Sequence, residues 1–495
     1  MALAGLDVGT SGCKLVVYDL DGQILSAAHR SYEVVQVGNY RILYPDVILE
    51  NVKQVIREAV EKSPQKIEGF AITSLGESTV ALDGNGSILY HSMAVGDCRG
   101  IEENQRLIEQ VGKYEIMRIT GLPASEMYSL PKWMWMNEHT DVFQRAEHLF
   151  LYEDFIGYYL TGKRKVSYSS ASRTMTFDIE KKQWSQKLLS LAGLTVQMMS
   201  EPVASGTVIG TVLPGRAQEL GLPQETVIVA GGHDQGCAAL GAGVDCADVI
   251  ANGHGSCEAL VALMQNPVKT QYMIDNDLVC VPHVIPDAYL TYLIQPTCGV
   301  LMNWARDTLF AKEFMQANAN GTDVFAQMDK MAGKHPSGLL ALTQFGSSGM
   351  PHVDYNAKGV FWGLTTATTN AQMYRALKES MAFQMLYAFE FLKPLGIAQG
   401  KLRLTGGGAS SKLTLQMRAD IFGTEAACLE SSESGTLGCM MLTGVALGAY
   451  SDIAQAVSRT VRVGKTYAPN AAMHTEYMQF YEKFKKLYQL MHNFK

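Results

Sequence analysis

The sequence predicts an α/β protein made of two similar units that face each other across a cleft. Two glycine-rich segments carry this prediction, Gly-Thr-Ser-Gly-Cys at residues 9–13 and Gly-His-Gly-Ser-Cys at residues 253–257. They can be aligned, and each lies between two predicted strands. Such self-similarity is typical of an internal duplication of one supersecondary unit. A chance similarity between two glycine-rich hairpins stays open as the alternative. The length of 495 residues is sufficient for two large domains.

The first half opens with strands and an amphipathic helix. Apolar runs at residues 3–8, 15–18 and 23–32 predict three strands separated by turns. Pro45 begins a predicted helix whose apolar residues fall on one face, and residues 67–73 return as a strand.

The second half repeats this order. Residues 227–230 predict a strand that ends in Gly-Gly-His-Asp, and residues 249–251 and 259–263 predict the strands that flank the second glycine-rich segment. A long helix is predicted at residues 373–392, followed by a strand at 402–404. The linker between the units is expected near residues 242–247.

Composition and charge limit the class of protein. The net charge of −7 disfavours a nucleic-acid partner, since such proteins usually carry a basic footprint. The nine cysteines form no Cys-x-x-Cys pair, so neither a zinc site nor a disulfide framework is expected, and free thiols indicate a reducing compartment. The N-terminus lacks a basic leader, and no run of about 18 apolar residues predicts a membrane span. We therefore expect a cytoplasmic protein without a membrane partner.

The first motif that can carry chemistry is Asp7 with the turn that follows it. Glycines let a backbone approach a phosphate closely, and the hydroxyls of Thr10 and Ser11 add donors. The Asp7 carboxylate is placed to hold a metal ion or its waters beside that phosphate. The alternative is a plain β-hairpin turn.

The second motif places Asp234 among glycines at the end of a predicted strand. A carboxylate there could accept a proton from a substrate hydroxyl, as phosphoryl transfer requires. The alternative is a helix N-cap. His233, taken alone, is expected to be a structural histidine.

The third motif is Thr-Gly-Gly-Gly-Ala-Ser-Ser at residues 405–411. Three glycines between a strand and a helix leave room for a flat ring or a phosphate against bare backbone. The pattern is neither the dinucleotide-binding fingerprint nor a Walker loop. The alternative is a tight connection between a strand and a helix.

In this order and spacing, the motifs resemble the FGGY carbohydrate kinases, which include xylulokinase, glycerol kinase and gluconokinase. Residues 171–175 look like a glycerol-kinase segment, and residues 356–364 look like a xylulokinase segment. The resemblance implies two ribonuclease-H-like domains of the actin and hexokinase type around a central cleft. It implies an N-terminal sugar-binding domain at residues 1–243 and a C-terminal ATP-binding domain at residues 244–495.

The resemblance also implies roles for individual residues. Asp234 matches the catalytic base, and Mg²⁺ is expected near Asp7 together with ATP. Glu77, Asp97 and Arg99 fall near the sugar, beside Asp234. The remaining matches are to phosphate and adenosine segments: Thr10, Ser11, Gly253, His254, Gly255, Ser256, Gly406, Gly407, Gly408 and Ser410.

Three departures from the family patterns affect the expected substrate. Gly76 replaces the arginine of the glycerol-kinase Arg-Glu pair, which disfavours glycerol. His254 stands where a threonine is usual, although an imidazole can still donate to a phosphate. Residues 346–351 lack a charged pair of xylulokinase.

The resulting hypothesis is ATP-dependent phosphorylation of a hydroxyl of a small sugar or polyol, with a ketopentose such as xylulose as the first candidate. Two alternatives use the same fold. One is a nucleotide-gated binding protein, as actin and the heat-shock chaperones are, and the other is a degenerate kinase that binds sugar for regulation. A polar sugar pocket beside Asp234 would favour the kinase. A homodimer is left open, because the sequence does not give the oligomeric state.

Overall fold

The computed structural model describes residues 1–354 and 356–494, so residues 355 and 495 of the predicted C-terminal domain lie outside the described residues. The strands are β1 Ala2–Val8, β2 Gly12–Tyr18, β3 Ile24–Ser31, β4 Val35–Val37, β5 Tyr40–Leu43, β6 Ile67–Ser74, β7 Thr79–Leu82, β8 Ser92–Met93, β9 His148–Leu151, β10 Lys165–Ser167, β11 Phe177–Asp178, β12 Gln183–Trp184, β13 Glu201–Val203, β14 Val208–Thr211, β15 Val227–His233, β16 Val249–His254, β17 Glu258–Met264, β18 Val281–Pro282, β19 Tyr289–Gln295, β20 Leu340–Leu342, β21 Val360–Trp362, β22 Lys401–Thr405, β23 Ala426–Leu429 and β24 Val463–Tyr467.

The α-helices are α1 Pro45–Lys62, α2 Ile101–Val111, α3 Lys113–Thr120, α4 Ser129–His139, α5 Val142–Arg145, α6 Tyr152–Thr161, α7 Tyr168–Ser172, α8 Gln186–Leu189, α9 Pro214–Leu220, α10 Asp234–Gly241, α11 Gln271–Asp275, α12 Gly299–Leu309, α13 Ala311–Asn320, α14 Val324–Met331, α15 Asn370–Glu390, α16 Lys412–Phe422, α17 Ser434–Ala446, α18 Ile453–Thr460 and α19 Ala471–His492. Short 3₁₀ turns occupy Ser190–Ala192, Val196–Met198, Lys393–Leu395 and Gly407–Ser410.

The first sheet has the strand order β14-β15-β6-β1-β2-β3. Strands β1, β2 and β3 form an antiparallel meander, whereas β6 and β15 run parallel to β1. The central strands β1 and β6 are almost entirely buried, as expected for strands that are covered on both faces. Asp7 and Ser74 therefore reach the same edge of the sheet, where the strands end.

The second sheet repeats this topology in the order β18-β19-β17-β16-β22-β23-β24. Strands β16, β17 and β19 form an antiparallel meander, and β22 and β23 run parallel to β16. The β1–β2 turn corresponds in this order to the β16–β17 turn, so the two aligned glycine-rich segments occupy equivalent positions. The predicted two-unit α/β architecture is confirmed.

One helix from the end of the chain returns to the first sheet. Helix α17 packs against β1 and β6 and crosses α10, and a side-chain carbon on Gly241 would collide with the carbonyl oxygen of Ser434. Glycine at this position lets the two helix backbones touch. The division at residues 243 and 244 stays a prediction, because α17 belongs to the second half in sequence and packs on the first in space.

The predicted helix at residues 373–392 begins earlier and ends earlier than expected, at Asn370–Glu390. Its start is fixed by Thr369, whose hydroxyl accepts from the backbone N–H of Gln372, while the Gln372 side chain accepts from the Thr369 N–H. This capping box satisfies backbone donors of the first turn. No helix in the described ranges combines the length and the apolar character needed to cross a membrane.

Candidate active site

The turn after β1 brings Asp7 and the first glycine-rich segment to the cleft. The turn is closed by a hydrogen bond from Gly9 N–H to the Gly12 carbonyl at 2.9 Å, and Tyr32 donates its hydroxyl to the Gly9 carbonyl at 2.6 Å. Lys14 Nζ lies 3.5 Å from Asp7 Oδ2 and 2.8 Å from Glu433 Oε2. Burial raises the pKa of Asp7, and the Lys14 charge opposes that rise.

Asp234 is the first residue of α10, and the N-cap position belongs to His233. His233 makes no side-chain capping bond, so the N-cap interpretation of Asp234 does not describe this helix. Asp234 Oδ1 lies 3.1 Å from His233 Nε2, yet it has no hydrogen-bond partner of good geometry among the described residues. A buried acceptor without a protein donor is uncommon, which marks Asp234 as a candidate functional group.

Asp234 follows β15 at the edge of the first sheet where β1 also ends, and water reaches 39% of its side chain. The surrounding protein nevertheless removes much of the bulk solvent, and this desolvation is the largest cause of a pKa raised to about 7. The neighbouring charges of Asp7 and Glu77 add to the rise. A carboxylate with a pKa near the working pH suits a general base.

Glu77 follows β6 and is bound by Arg173, which follows α7. Arg173 donates from Nε to Glu77 Oε1 at 2.8 Å and from Nη2 to the same oxygen. Burial is the largest influence and raises the pKa of Glu77, but the charges of Arg173, His233 and Lys132 and the Arg173 hydrogen bond together outweigh it, so the pKa lies below its usual value. The Arg173 guanidinium also lies 5.0 Å from the ring of Tyr128 and 6.0 Å from the ring of Tyr292. Because Tyr292 belongs to β19, both units contribute to this part of the cleft.

Asp97 and Arg99, expected near the sugar, bind each other. Arg99 donates from Nε to Asp97 Oδ1 at 2.7 Å and from Nη2 to Oδ2 at 2.6 Å, and the backbone N–H groups of Arg99 and Arg41 donate to the same carboxylate. The two side chains are 0% and 1% exposed. A sugar hydroxyl could reach them only if this pair opened, and direct contact with the sugar stays a prediction.

The second unit contributes a cavity of about 870 Å³ beside its glycine-rich turns. Gly255 and Ser256 line one part of it, and Gly407, Gly408 and Ser410 line another. Gly253 and Gly406 are the strand-end residues that lead into these turns. Gly406 has a φ of 86°, and any side chain on it would collide with the His254 carbonyl. The two segments therefore meet as bare backbone, which suits the approach of a phosphate or a ring.

His254 lines the cavity, and its ring is engaged by neighbouring side chains. Its Nε2 lies 3.0 Å from Asn252 Oδ1 and 3.5 Å from Glu258 Oε1, and the side chain is 2% exposed. Burial lowers the pKa of His254 to about 4, so the ring is neutral near pH 7. Glu258 is already paired with Arg418 at 2.7 Å. The imidazole is thus engaged within the protein, and its part in phosphate binding stays a prediction.

Comparisons with known proteins match this geometry over most of the chain. Residues 2–241 match the N-terminal domain of the FGGY family of carbohydrate kinases, and residues 260–447 match its C-terminal domain. The chain belongs to this family. The enzyme is 26% identical to a xylulose kinase of Staphylococcus epidermidis, with 98% of this chain and 96% of that protein covered. It is 27% identical to an autoinducer-2 kinase of Salmonella paratyphi B, with 98% and 94% covered.

A solved structure of similar shape is that of a gluconate kinase from Lactobacillus acidophilus. It superposes with a TM-score of 0.90 at 25% identity and covers 99% of this chain and 98% of that one. The enzyme is accordingly a sugar kinase with two ribonuclease-H-like domains, as the sequence predicted. Family membership excludes the interpretation as a nucleotide-gated binding protein without kinase chemistry.

Kinases of this family use ATP as donor together with Mg²⁺, and the site fits both. The cavity offers bare backbone at Gly255 and Gly407 for phosphates. The carboxylate of Asp7 supplies the hard oxygen ligand that Mg²⁺ prefers, beside Asp234, whose pKa the Asp7 charge raises. A cation at this position would offset the repulsion between the two carboxylates.

Several residues of the site were not identified from the sequence. Arg173 lies in a segment whose family resemblance was noted without a role, and Tyr128 and Tyr292 carried no signal beyond their apolar surroundings. Lys14 lies on β2 but just before the strand predicted at residues 15–18, and no role was predicted for it. Their roles follow only from contacts in three dimensions. Arg173 pairs with Glu77, the rings of Tyr128 and Tyr292 lie near Arg173, and Lys14 pairs with Asp7 and Glu433.

Proposed function

We propose that the enzyme transfers the γ-phosphoryl group of ATP to a hydroxyl of a ketopentose such as xylulose, with Asp234 as the general base. The observation that carries this proposal is the Asp234 carboxylate at the end of β15, which is 39% exposed and has one oxygen without a protein donor. Burial and the nearby charges of Asp7 and Glu77 raise its pKa to about 7. The substrate is suggested by relatives of 26% identity that bear the name xylulose kinase.

The proposed reaction is a single displacement at the γ-phosphorus of ATP. The sugar hydroxyl oxygen forms a bond to the γ-phosphorus, the bond from that phosphorus to the β,γ-bridging oxygen breaks, and ADP leaves. The hydroxyl proton passes to Asp234 as the new bond forms, because a neutral hydroxyl is a poor nucleophile until its proton can depart. Mg²⁺, held near Asp7, would supply charge neutralisation for the phosphates.

The phosphate side of the site is proposed to combine two turns from opposite units. Thr10 and Ser11 line the β1–β2 turn, and Gly255 and Ser256 line the β16–β17 turn. Both turns end strands at the same edge of equivalent sheets. Backbone N–H groups at such turns bind phosphate without a net positive charge, which agrees with a protein of net charge −7.

The sugar side is proposed to depend on Glu77. Arg173 occupies Oε1, and the structure records no bond to Oε2 within its described ranges, so this oxygen can accept from a sugar hydroxyl. A ligand held in this way would have its reacting hydroxyl near Asp234.

The nine free cysteines support a reducing compartment, so we place the reaction in the cytoplasm. A homodimer stays a prediction.

The test is a panel of phosphoryl acceptors with ATP and Mg²⁺, read by the sugar-dependent release of ADP. The panel contains xylulose and other ketopentoses, aldonates such as gluconate, polyols such as glycerol, and autoinducer-2, since relatives bear these names. We expect the largest kcat/KM with a ketopentose. A higher kcat/KM with an aldonate or with autoinducer-2 would refute the ketopentose as the substrate and would still support the kinase activity.

A further inference from the structure

The donor cavity ends in a polar group of side chains that phosphoryl transfer itself does not use. They are Asp329 on α14, Tyr374 and Lys378 on α15, and Ser411 and Thr414 at the start of α16, and all of them line the cavity. We call these five residues the polar wall. Ser411 comes directly after the glycine-rich segment and caps α16 by accepting from Thr414 N–H at 3.0 Å. The polar wall is thus built onto the segment that receives the nucleotide.

Lys378 is buried and fully engaged within the polar wall. Its ammonium donates to Asp329 Oδ1, to Ser411 Oγ at 3.2 Å and to Thr414 Oγ1 at 3.0 Å, and the side chain is 10% exposed. These three acceptors use all three N–H donors of a lysine. Lys378 therefore cannot bind a ligand directly, and its effect is to fix Asp329 and Thr414 in place.

Asp329 and Thr414 each keep one unused hydrogen-bonding position. Asp329 Oδ1 accepts from Lys378 and from Tyr374 Oη at 2.8 Å, and Oδ2 accepts only from Ser411. A carboxylate has about four lone-pair sites, so Oδ2 can accept one bond more, and the side chain is 18% exposed. The Thr414 oxygen accepts from Lys378, and the described residues include no acceptor for its own proton.

The polar wall thus presents an acceptor beside a donor to a cavity whose lining also includes the apolar side chains of Met302, Phe325 and Met381. A purine base has two flat apolar faces and a polar edge, which matches this arrangement. Adenine carries an amino donor at position 6, next to a ring-nitrogen acceptor, whereas guanine and hypoxanthine carry an oxygen acceptor there. A carboxylate complements the amino group and repels the oxygen.

We propose that Asp329, oriented by Lys378, Tyr374 and Ser411, accepts a hydrogen bond from the 6-amino group of the donor base, and that Thr414 donates to the adjacent ring nitrogen. This pair makes the enzyme selective for ATP over GTP and ITP. The inference rests on the use of ATP and is independent of which sugar is phosphorylated.

The test measures nucleotide binding by calorimetry without sugar, so its result does not depend on the acceptor. The probes are ADP, IDP and the diphosphate of unsubstituted purine riboside, which lacks the 6-amino group. We expect wild-type protein to bind ADP at least ~10-fold more tightly than either analogue, as expected for one hydrogen bond to a charged acceptor. In Asp329→Ala, the three affinities should fall within about threefold of one another.

Two further variants make the result decisive. Asp329→Asn keeps the shape of the side chain and can donate to an oxygen, so its preference for ADP over IDP should drop even if Asp329→Ala does not fold. Asp307→Ala is the control, because Asp307 is an exposed carboxylate paired with Arg306 and does not line the cavity. A wild-type protein that does not discriminate, or an Asp329→Asn protein that keeps the wild-type ratio, would overturn the proposal.

Discussion

Arg173 binds Glu77 through one oxygen only, because both Nε and Nη2 donate to Oε1. The space for this contact exists because residue 76 is a glycine: a Cβ there would lie 2.7 Å from Arg173 Cγ and 2.7 Å from His233 Cδ2. An arginine from another segment therefore reaches Glu77 through the space that a side chain at position 76 would fill. The pairing orients Glu77 and neutralises it, while Oε2 stays available to a substrate.

Replacing Glu77 by Ala is expected to raise the KM of the sugar far more than that of ATP. The variant loses the acceptor at Oε2 and leaves the Arg173 guanidinium buried without its partner, so sugar binding should weaken at least ~10-fold. Steady-state kinetics with each substrate varied in turn measures both constants. Glu77→Gln is the control, since its carbonyl still accepts. Equal increases in both KM values would place Glu77 outside the sugar site.

Asp234→Asn is expected to lower kcat by at least ~100-fold while ADP and sugar bind with near-normal affinity, because the amide keeps the shape and loses the basicity. Initial rates and calorimetry measure the two effects. Asp248→Asn is the control, because Asp248 precedes β16 at the end opposite the phosphate turn. A variant that keeps most of its turnover would leave only a structural role for Asp234.

The kcat/KM for sugar is expected to increase as pH rises through about 7. Burial and the Asp7 charge raise the pKa of Asp234 to about 7, so the carboxyl is protonated below that pH and cannot accept the hydroxyl proton. Activity is therefore lost on the acid side and present on the alkaline side. The rate of ADP formation is measured by chromatography from pH 5.5 to 8.5, with Mg²⁺ in excess. No coupling enzyme is used, so none adds a pH dependence of its own. A profile without change between pH 6 and pH 8 would contradict the assignment.

Arg99→Met is expected to destabilise the protein without changing how it binds sugar. Removal of one partner leaves the Asp97 carboxylate buried and unpaired, which costs about 3–5 kcal/mol at sites of this burial. Thermal unfolding should show a lower Tm, and the sugar KM of the folded protein should stay within about twofold of wild type. A large increase in sugar KM at unchanged Tm would restore the direct sugar contact predicted from the sequence.

Closure of the cleft is expected when both substrates bind. Asp7, Glu77 and Asp234 belong to the first unit, whereas Gly255 and Gly407 belong to the second, so transfer without loss to water requires the two surfaces to approach. Small-angle scattering should show a smaller radius of gyration with sugar and a non-hydrolysable ATP analogue than with neither. An unchanged radius at saturation with both ligands would argue against closure.

The sequence predicted the strand-end features of the site and missed the contacts between distant segments. Asp7, Asp234 and the glycine-rich turns follow apolar runs, so the ends of predicted strands locate them in α/β sheets. Whether a carboxylate is free to bind a ligand depends on its partners, and the sequence does not show that Arg99 and the Arg41 backbone donate to both oxygens of Asp97. Glu77 and Arg173 are 96 residues apart, and no local pattern indicates their pairing.

Helix α17 also sets the order in which the chain can finish folding on the ribosome. The face of the first sheet that includes Leu3, Ala71 and Val229 is covered by Leu437 and Met441 of α17, and these emerge about 200 residues after β15 is complete. At translation rates of about 5–20 residues per second, this apolar face stays exposed for roughly 10–40 s before α17 is synthesised. We therefore expect the nascent N-terminal half to need protection from aggregation, and a fragment that stops near residue 243 to be produced as insoluble protein.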